Sequence, residues 1–202
     1  MLDFGVISPH PPLLLKSVSS KEQRKEVQKT IQNLKKLGGK FKKKKIEHLI
    51  IISPHPDWGF NVPLHFIGKD FENNIEKILI QSEGAEKYFK LGKEKAEEFK
   101  DKKVAVIASG DLSHCLKKES PYGYTEDGPA FDKALIKYLK NKKIKEILNL
   151  DKEFPNAKAC GLQSISFLLG FAEKSLNNYN INVLSYQGPF GVGYLVAEIK
   201  NN

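Results

Sequence analysis

Hydrophobic residues along the chain are concentrated in short continuous runs. The four clearest runs are residues 4–7, 48–52, 104–108 and 194–199. The second and third are bounded by turn residues, a pattern typical of strands buried on both faces of a sheet. Residues 183–186 form a further short run and predict one more strand.

The segments between these runs carry apolar residues at helical spacing. In residues 21–37 they recur every three or four positions, and the following Gly38-Gly39 pair predicts the end of a helix there. Residues 85–99 and 129–139 are further helix candidates, and the mostly apolar segment 161–172 predicts a buried helix. Strands that alternate with helices predict a three-layer α/β/α sandwich with a mostly parallel or mixed central sheet.

Length and composition fit one globular domain. The chain has 202 residues, of which 40% are hydrophobic and 28% are charged, so it can bury one core. No apolar run approaches the roughly 20 residues of a membrane span, and the N-terminal residues do not have the pattern of a signal peptide. Cys115 and Cys160 are too few for a disulfide framework. We therefore expect reduced thiols, a cytoplasmic location and no membrane partner.

The net charge of +9 raises the question of nucleic-acid binding. The lysines are concentrated in segments 40–45 and 137–145, where predicted helices and loops should be solvated. Aromatic residues are not interleaved among them, as they are in surfaces that stack on bases. The charge therefore indicates a solvated basic face, and nucleic acid is not an expected partner.

Three histidines follow three predicted strands. His10 and His55 each lie in a Ser-Pro-His-Pro string, and His114 ends the string Ser-Gly-Asp-Leu-Ser-His. Ligands of open α/β sheets bind beyond the carboxyl ends of the strands, so these histidines predict one shared pocket. Prolines beside His10 and His55 stiffen both loops, as a metal site requires.

The alternative for each histidine is a surface or hydrogen-bonded residue without a ligand. That is the usual state of one histidine after a strand, but three in equivalent positions favour a shared site. His48 is predicted to begin a strand and to be structural. His65 lies in an apolar stretch, and its place in the pocket is left open.

These strings occur in an order that resembles the class III extradiol ring-cleavage dioxygenases. This LigB-type superfamily also includes the Memo-like proteins. A late Cys-Gly-Leu and the closing string Gly-Pro-Phe-Gly-Val-Gly-Tyr at residues 188–194 match as well. The resemblance implies one LigB-like domain over residues 1–202, shortened between residues 56 and 66.

The resemblance also implies a site and an activity. Family enzymes hold a non-haem Fe(2+) ion with two histidines and a glutamate, which leaves positions open for catechol and dioxygen. The two histidines correspond to His10 and His55. His114 corresponds to an acid/base residue near the substrate, and Asp111 to a partner that orients a ring or the loop. The implied protein is an oxidoreductase that acts on a catechol-like aromatic with incorporation of dioxygen.

The chain departs from the family pattern around this site. Ala159 stands where the glutamate is expected, and Trp58 replaces a pocket histidine and should fill space there. Cys160 follows Ala159, and Memo-like relatives carry a cysteine at a comparable place. As a metal ligand, Cys160 would favour Zn or Cu; the alternative is a buried cysteine that only packs.

Two functions therefore stay open, beside a basic nucleic-acid-binding module that rests on charge alone. One is a non-haem iron dioxygenase, and the other is a Memo-like metal- or ligand-binding protein with little or no ring-cleavage activity. Both have a small aromatic substrate or ligand as the expected partner. The sequence also leaves a homo-oligomer open.

Overall fold

A six-stranded mixed sheet forms the centre of the protein. The computed structural model describes residues 1–81 and 84–201. The sheet has the order β3-β2-β4-β1-β6-β5. Its strands are β1 (Leu2–Ser8), β2 (His48–Ser53), β3 (Asn74–Leu79), β4 (Val104–Ser109), β5 (Tyr179–Gln187) and β6 (Tyr194–Asn201). β3, β2, β4 and β1 run parallel, whereas β6 is antiparallel to both β1 and β5.

Helices cover both faces of the sheet. A 3-10 helix (Pro12–Leu14) follows β1, and the α-helices are α1 (Lys21–Glu26), α2 (Gln28–Phe41), α3 (Trp58–Phe66), α4 (Ala85–Glu98), α5 (Asp127–Lys140), α6 (Ile144–Ile147), α7 (Leu150–Glu153) and α8 (Leu162–Ser175). α2 and α3 pack on one face, and α4, α5 and α8 on the other. The predicted α/β sandwich with a mixed sheet is confirmed. None of the helices in the described ranges combines the length and the apolar character that a membrane span needs.

Neighbouring residues of the central strands contribute to opposite cores. In β2, Ile50 and Ile52 belong to the core under α4 and α8, whereas Leu49 and Ile51 belong to the core under α2 and α3. All four side chains are fully buried. Successive side chains of a strand point to opposite faces, so a strand covered on both sides requires a continuous apolar run. The prediction of β1, β2, β4 and β6 from such runs is confirmed.

The prediction for residues 21–37 is wrong in two details. The helix is interrupted at Val27, and α2 then continues through the two glycines to Phe41. A Cβ atom on Gly38 would overlap the carbonyl oxygen of Phe66, at the end of α3. Gly38 therefore allows α2 and α3 to pack closely and does not end the helix.

The edge strand β3 is not marked by an apolar run, so the hydrophobic pattern does not predict it. Within the described residues, β3 pairs with β2 on one side only. Its residues alternate between exposed and half-buried along most of the strand, and Ile75 and Leu79 are exposed. A strand that is covered on one side does not need the continuous apolar run of the central strands.

Candidate metal centre

Three loops carrying predicted site residues meet at one edge of the sheet. β2, β4 and β1 are parallel neighbours, so their carboxyl ends lie side by side. His10, His55 and Asp111 each stand two positions after the last residue of their strand. The predicted convergence of these loops therefore follows from the order of the strands.

His10, His55 and Cys160 form a group of side chains suited to metal binding, called here the ligand cluster. One ligand atom from each residue lies within 4.8 Å of the others. Sγ of Cys160 is 3.6 Å from Nε2 of His10, and the rings of His10 and His55 have centroids 5.2 Å apart. A tetrahedral zinc ion, with bonds of about 2.3 Å to sulfur and about 2.1 Å to nitrogen, separates two such ligands by roughly 3.6 Å. The spacing of the cluster therefore suits one metal ion.

Ser109 determines which nitrogen of His10 is free to bind a metal. Its hydroxyl donates to the carbonyl oxygen of Gly59 and lies 3.0 Å from Nδ1 of His10. A hydroxyl has only one proton, so we assign Nδ1–H as the donor to Ser109. Nε2, which faces Cys160, then keeps its lone pair.

The His10 ring is neutral at physiological pH. Burial, together with the charges of His55 and His114, lowers the pKa of His10 to about 3. A neutral imidazole is the form that binds metals. The environment of His10 therefore favours the binding form without any change in protonation.

Asp111 connects the loop after β4 to the loop that carries His10. Its Oδ1 accepts the backbone N–H of His10 at 3.1 Å, and its Oδ2 lies 3.8 Å from His10 Nε2. Burial raises the pKa of Asp111 to about 6, although the hydrogen bond from His10 and the charges of His114 and His55 act in the opposite direction. A cation at the ligand cluster would favour the ionised carboxylate. The predicted orienting contact is present, and its role in a reaction stays a prediction.

Two glycines bring Cys160 to the ligand cluster. Gly110 and Gly161 approach so closely that a Cβ atom on Gly110 would overlap Gly161. The carbonyl oxygen of Asp111 accepts the N–H groups of Cys160, at 3.2 Å, and of Gly161, at 2.8 Å. The N–H of Asp111 in turn donates to Sγ of Cys160 at 3.2 Å. Cys160 is therefore held by the backbone of the β4 loop, next to His10.

The Cys160 side chain is a neutral thiol in this environment. Burial, and then the nearby carboxyl group of Asp111, raise its pKa far above the usual range. Metal ions bind the thiolate, and they stabilise that form when they bind. Metal binding by Cys160 would therefore release a proton.

Unusual backbone conformations occur close to two residues of the ligand cluster. Asp57, two residues after His55, has φ 50°, and Lys158, two residues before Cys160, has φ 53°. Such conformations cost on the order of 1–3 kcal/mol in non-glycine residues and are found at functional sites. A third case, Lys142 with φ 52°, lies between α5 and α6, away from the cluster.

His114 lies near the ligand cluster but is not part of it. Its charge contributes to lowering the pKa values of His10 and Asp111, so the three groups are electrostatically coupled. Its Nδ1 is buried without a hydrogen-bond partner in residues 1–81 and 84–201. Its ring contacts Tyr122, with centroids 6.1 Å apart. The acid/base role of His114 stays a prediction.

The other two histidines lie outside the cluster. His48 begins β2, stacks on Phe99 with centroids 4.2 Å apart, and has Nε2 3.5 Å from Glu76. The prediction that His48 begins a strand is confirmed. His65 is exposed on α3 and lines a surface cavity with Leu15, so it does not join the site.

Comparisons with known proteins identify the family. Residues 55–197 match the family described as the catalytic LigB subunit of aromatic ring-opening dioxygenase. The chain belongs to the LigB family. Protein CA_C1420 of Clostridium acetobutylicum is 38% identical over 148 residues, which are 71% of this chain but only 31% of that protein.

The LigB family match begins at His55 and leaves out His10. A structural comparison covers nearly the whole chain. The crystal structure of the uncharacterized protein JW3007 from Escherichia coli K12 has a TM-score of 0.63 at 14% identity, over 98% of this chain and 99% of that chain. This likeness concerns the fold. The place of His10 in the cluster therefore rests on β1 being the parallel neighbour of β4.

The third ligand position differs from the LigB pattern. Ala159, which stands where the family glutamate is expected, packs against the core under α5 and α8 and lines a small cavity with Phe131 and Phe154. The next residue, Cys160, directs its sulfur to His10. LigB proteins are usually metal-dependent, and two imidazoles with one thiol suit a transition-metal ion. The residues therefore fit a metal, with sulfur in place of the glutamate.

The expectation that Trp58 fills space in the pocket stays a prediction, and the structure places its ring against His55. Trp58 is 43% exposed and stacks on His55, with centroids 5.5 Å apart and an interplanar angle of 30°. It is the first residue of α3, which begins directly after the His55 loop. Trp58 therefore covers one side of the His55 ring and remains partly open to solvent.

Two supporting residues were not found from the sequence. Ser109 orients His10 from a neighbouring strand. Asp132 of α5 accepts the N–H of Ser113 at 2.8 Å and the hydroxyl of Tyr186 at 2.6 Å, which holds the loop before His114. Burial raises the pKa of Asp132 to about 7, against the effect of these hydrogen bonds. Ser109 begins the Ser-Gly-Asp-Leu-Ser-His string, but no local pattern in the sequence shows the contacts of either residue.

Proposed function

We propose that the chain is a metal-dependent oxidoreductase that binds one transition-metal ion through His10, His55 and Cys160. Its substrate is a small catechol-like aromatic, which it oxidises with incorporation of dioxygen. The proposal is supported by the three ligand atoms that lie within 4.8 Å of one another. The chain belongs to the LigB family, whose description names an aromatic ring-opening dioxygenase, and this membership supports a dioxygenase reaction.

The residues around the ligand cluster have separate roles in this proposal. A metal ion held by His10, His55 and Cys160 would supply Lewis-acid chemistry for the phenolic substrate and for dioxygen. Ser109 keeps Nε2 of His10 free for the metal. Asp111 provides negative charge 3.8 Å from that nitrogen. His114 accepts a proton from a substrate hydroxyl, a reaction for which imidazole is suited near neutral pH.

A second function is favoured by Cys160. Sulfur ligands favour zinc and copper(I), whereas carboxylates suit the iron(II) of the ring-cleaving site. A protein of the Memo-like kind would use the same cluster to bind a metal or a ligand, with little or no ring cleavage. The two functions share the metal site and differ in the metal and in the use of dioxygen.

Anaerobic reconstitution separates the two functions. The wild-type protein and His10→Ala, Cys160→Ser and His114→Ala are loaded with iron(II), zinc or copper(I), and bound metal is measured after desalting. Oxygen uptake is then followed with catechol in air. The dioxygenase is supported if the iron-loaded wild type takes up oxygen and His114→Ala does not. Bound metal without uptake supports the second function, and a wild type that retains no metal contradicts both.

A further inference from the structure

Two exposed aromatic rings lie against histidines of the site. Trp58 stacks on His55, and Tyr122, in the loop between β4 and α5, meets the ring of His114 at an interplanar angle of 73°. Trp58 is 43% exposed and Tyr122 is 65% exposed. Large aromatic side chains mostly bury their rings, and two exposed rings in contact with histidines of a candidate metal site are consistent with a binding surface.

We propose that Trp58 and Tyr122 form an aromatic rim that binds a planar aromatic ligand by stacking, next to the ligand cluster. This inference rests on the proposed function, because it assigns the residues that select the substrate of that site. The two rings contact histidines with different predicted roles, since His55 is a metal ligand and His114 an acid/base. Each ring of the rim is therefore in direct contact with a histidine that has a role in the proposed reaction.

The position of Trp58 is specified by the backbone before it. Asp57 has φ 50° and ψ −99°, a conformation that non-glycine residues rarely adopt. This conformation occurs between the His55 loop and the first turn of α3, so it sets the direction in which α3 begins. A strained residue persists only where the surrounding structure holds it. Its position immediately before Trp58 supports a required placement of the indole.

The rim should distinguish ligands by their π-face. Aromatic rings interact favourably in offset-stacked or edge-to-face arrangements with centroids about 4.5–7 Å apart. A saturated ring with the same two hydroxyl groups can still reach a metal but cannot stack. Catechol and cis-1,2-cyclohexanediol share the vicinal diol but differ both in aromaticity and in the acidity of their hydroxyl groups. The comparison is therefore repeated on the metal-free protein, where chelation of a metal cannot distinguish them.

The chain contains one tryptophan, so its fluorescence reports on the rim directly. The zinc-loaded protein, which cannot oxidise its ligand, is titrated with catechol and with cis-1,2-cyclohexanediol. We expect saturable quenching of Trp58 by catechol and none by the diol. Equal responses to the two probes would contradict the rim.

Calorimetric titration with catechol then tests each ring. We expect Trp58→Leu to weaken binding about tenfold and Tyr122→Leu about threefold, with most of the affinity kept by Trp58→Phe. Tyr124→Leu is the matched control, because Tyr124 is 53% exposed in the same loop and has no ring contact with a histidine in the described part of the chain. This control should bind like the wild type.

Metal content separates failure of the rim from failure of the proposed function. Variants that bind catechol like the wild type, with zinc retained, overturn the rim and leave the metal site intact. If the wild type retains no zinc, the proposed function fails. The quenching experiment is then made on the metal-free protein, where saturable quenching by catechol alone supports the rim and its absence overturns it.

Discussion

Two buried polar clusters in this protein are built in opposite ways. In the first, Glu198 of β6 is 5% exposed and is contacted by Lys40 at 2.6 Å and by Asn182 and Lys200 at 3.2 Å. Burial raises the pKa of Glu198, but these partners outweigh burial and lower it overall. The negative charge of Glu198 is therefore balanced by lysine side chains within the same cluster.

The ligand cluster contains no cation of its own. Burial makes the imidazole of His10 and the thiol of Cys160 neutral, and the nearby carboxyl group belongs to Asp111. Buried polar groups are usually paired, and buried charges are paired or bind metals. The difference fits our proposal that a metal ion completes the ligand cluster, whereas the Glu198 cluster needs no further partner.

The largest effect should follow from removing a histidine of the ligand cluster. We expect His10→Ala or His55→Ala to lower zinc affinity by about 100-fold or more, because one of three ligands is lost. Competition with a chromophoric chelator measures this affinity. Lys40→Met, in the other cluster, is the control and should bind zinc like the wild type. Unchanged zinc binding by His10→Ala would remove the distinction between the two clusters.

The neutrality of His10 should appear in the pH dependence of stability. The folded-state pKa of about 3 is below the ordinary value of 6.5, so between these values the unfolded chain binds a proton that the folded chain does not. Stability from this group is complete above about pH 6.5 and is lost as the pH falls towards 3.

Urea unfolding of the metal-free protein measures this loss. When the pH is lowered from 7 to 5, we expect the free energy of unfolding of the wild type to fall by about 2 kcal/mol because of His10. His10→Gln should lose correspondingly less over the same interval, which separates His10 from Asp111 and Asp132. Parallel pH profiles for the two proteins would show that His10 is not held neutral by the fold.

A smaller effect should follow from changing the sulfur ligand. We expect Cys160→Ser to lower zinc affinity about tenfold, and Cys160→Asp to raise the ratio of bound iron(II) to bound zinc. Slow catechol cleavage by the wild type should become faster in iron-loaded Cys160→Asp. Ala159→Glu is the control and should give no gain, because that side chain packs against the core. A gain with Ala159→Glu alone would show that position 159 reaches the metal.

The smallest effect should come from the ion-pair cluster. Lys40 is half exposed, and Glu198 keeps Asn182 and Lys200 as partners when Lys40 is removed. We therefore expect Lys40→Met to lower the free energy of unfolding by about 1 kcal/mol or less. Urea unfolding at neutral pH tests this value. A loss several times larger would mean that the remaining partners do not satisfy Glu198.

The sequence by itself determined the central strands and the candidate ligands. β2 and β4 are covered on both faces, so each needs a continuous apolar run that is visible without any structure. The Ser-Pro-His-Pro strings mark His10 and His55 because proline stiffens a loop at the residue level. Both features depend only on residues that are close in the sequence, so they can be recognised in a single sequence.

Only the tertiary structure decided how these residues meet. Cys160 and His10 are 150 positions apart, and their contact depends on β1 lying beside β4 and on the close approach of Gly110 and Gly161. The free nitrogen of His10 depends on Ser109 of a neighbouring strand. Strand order and close approach are properties of the packed chain. For this reason the sequence indicated the ligands, and the fold decided their distances, protonation and neighbours.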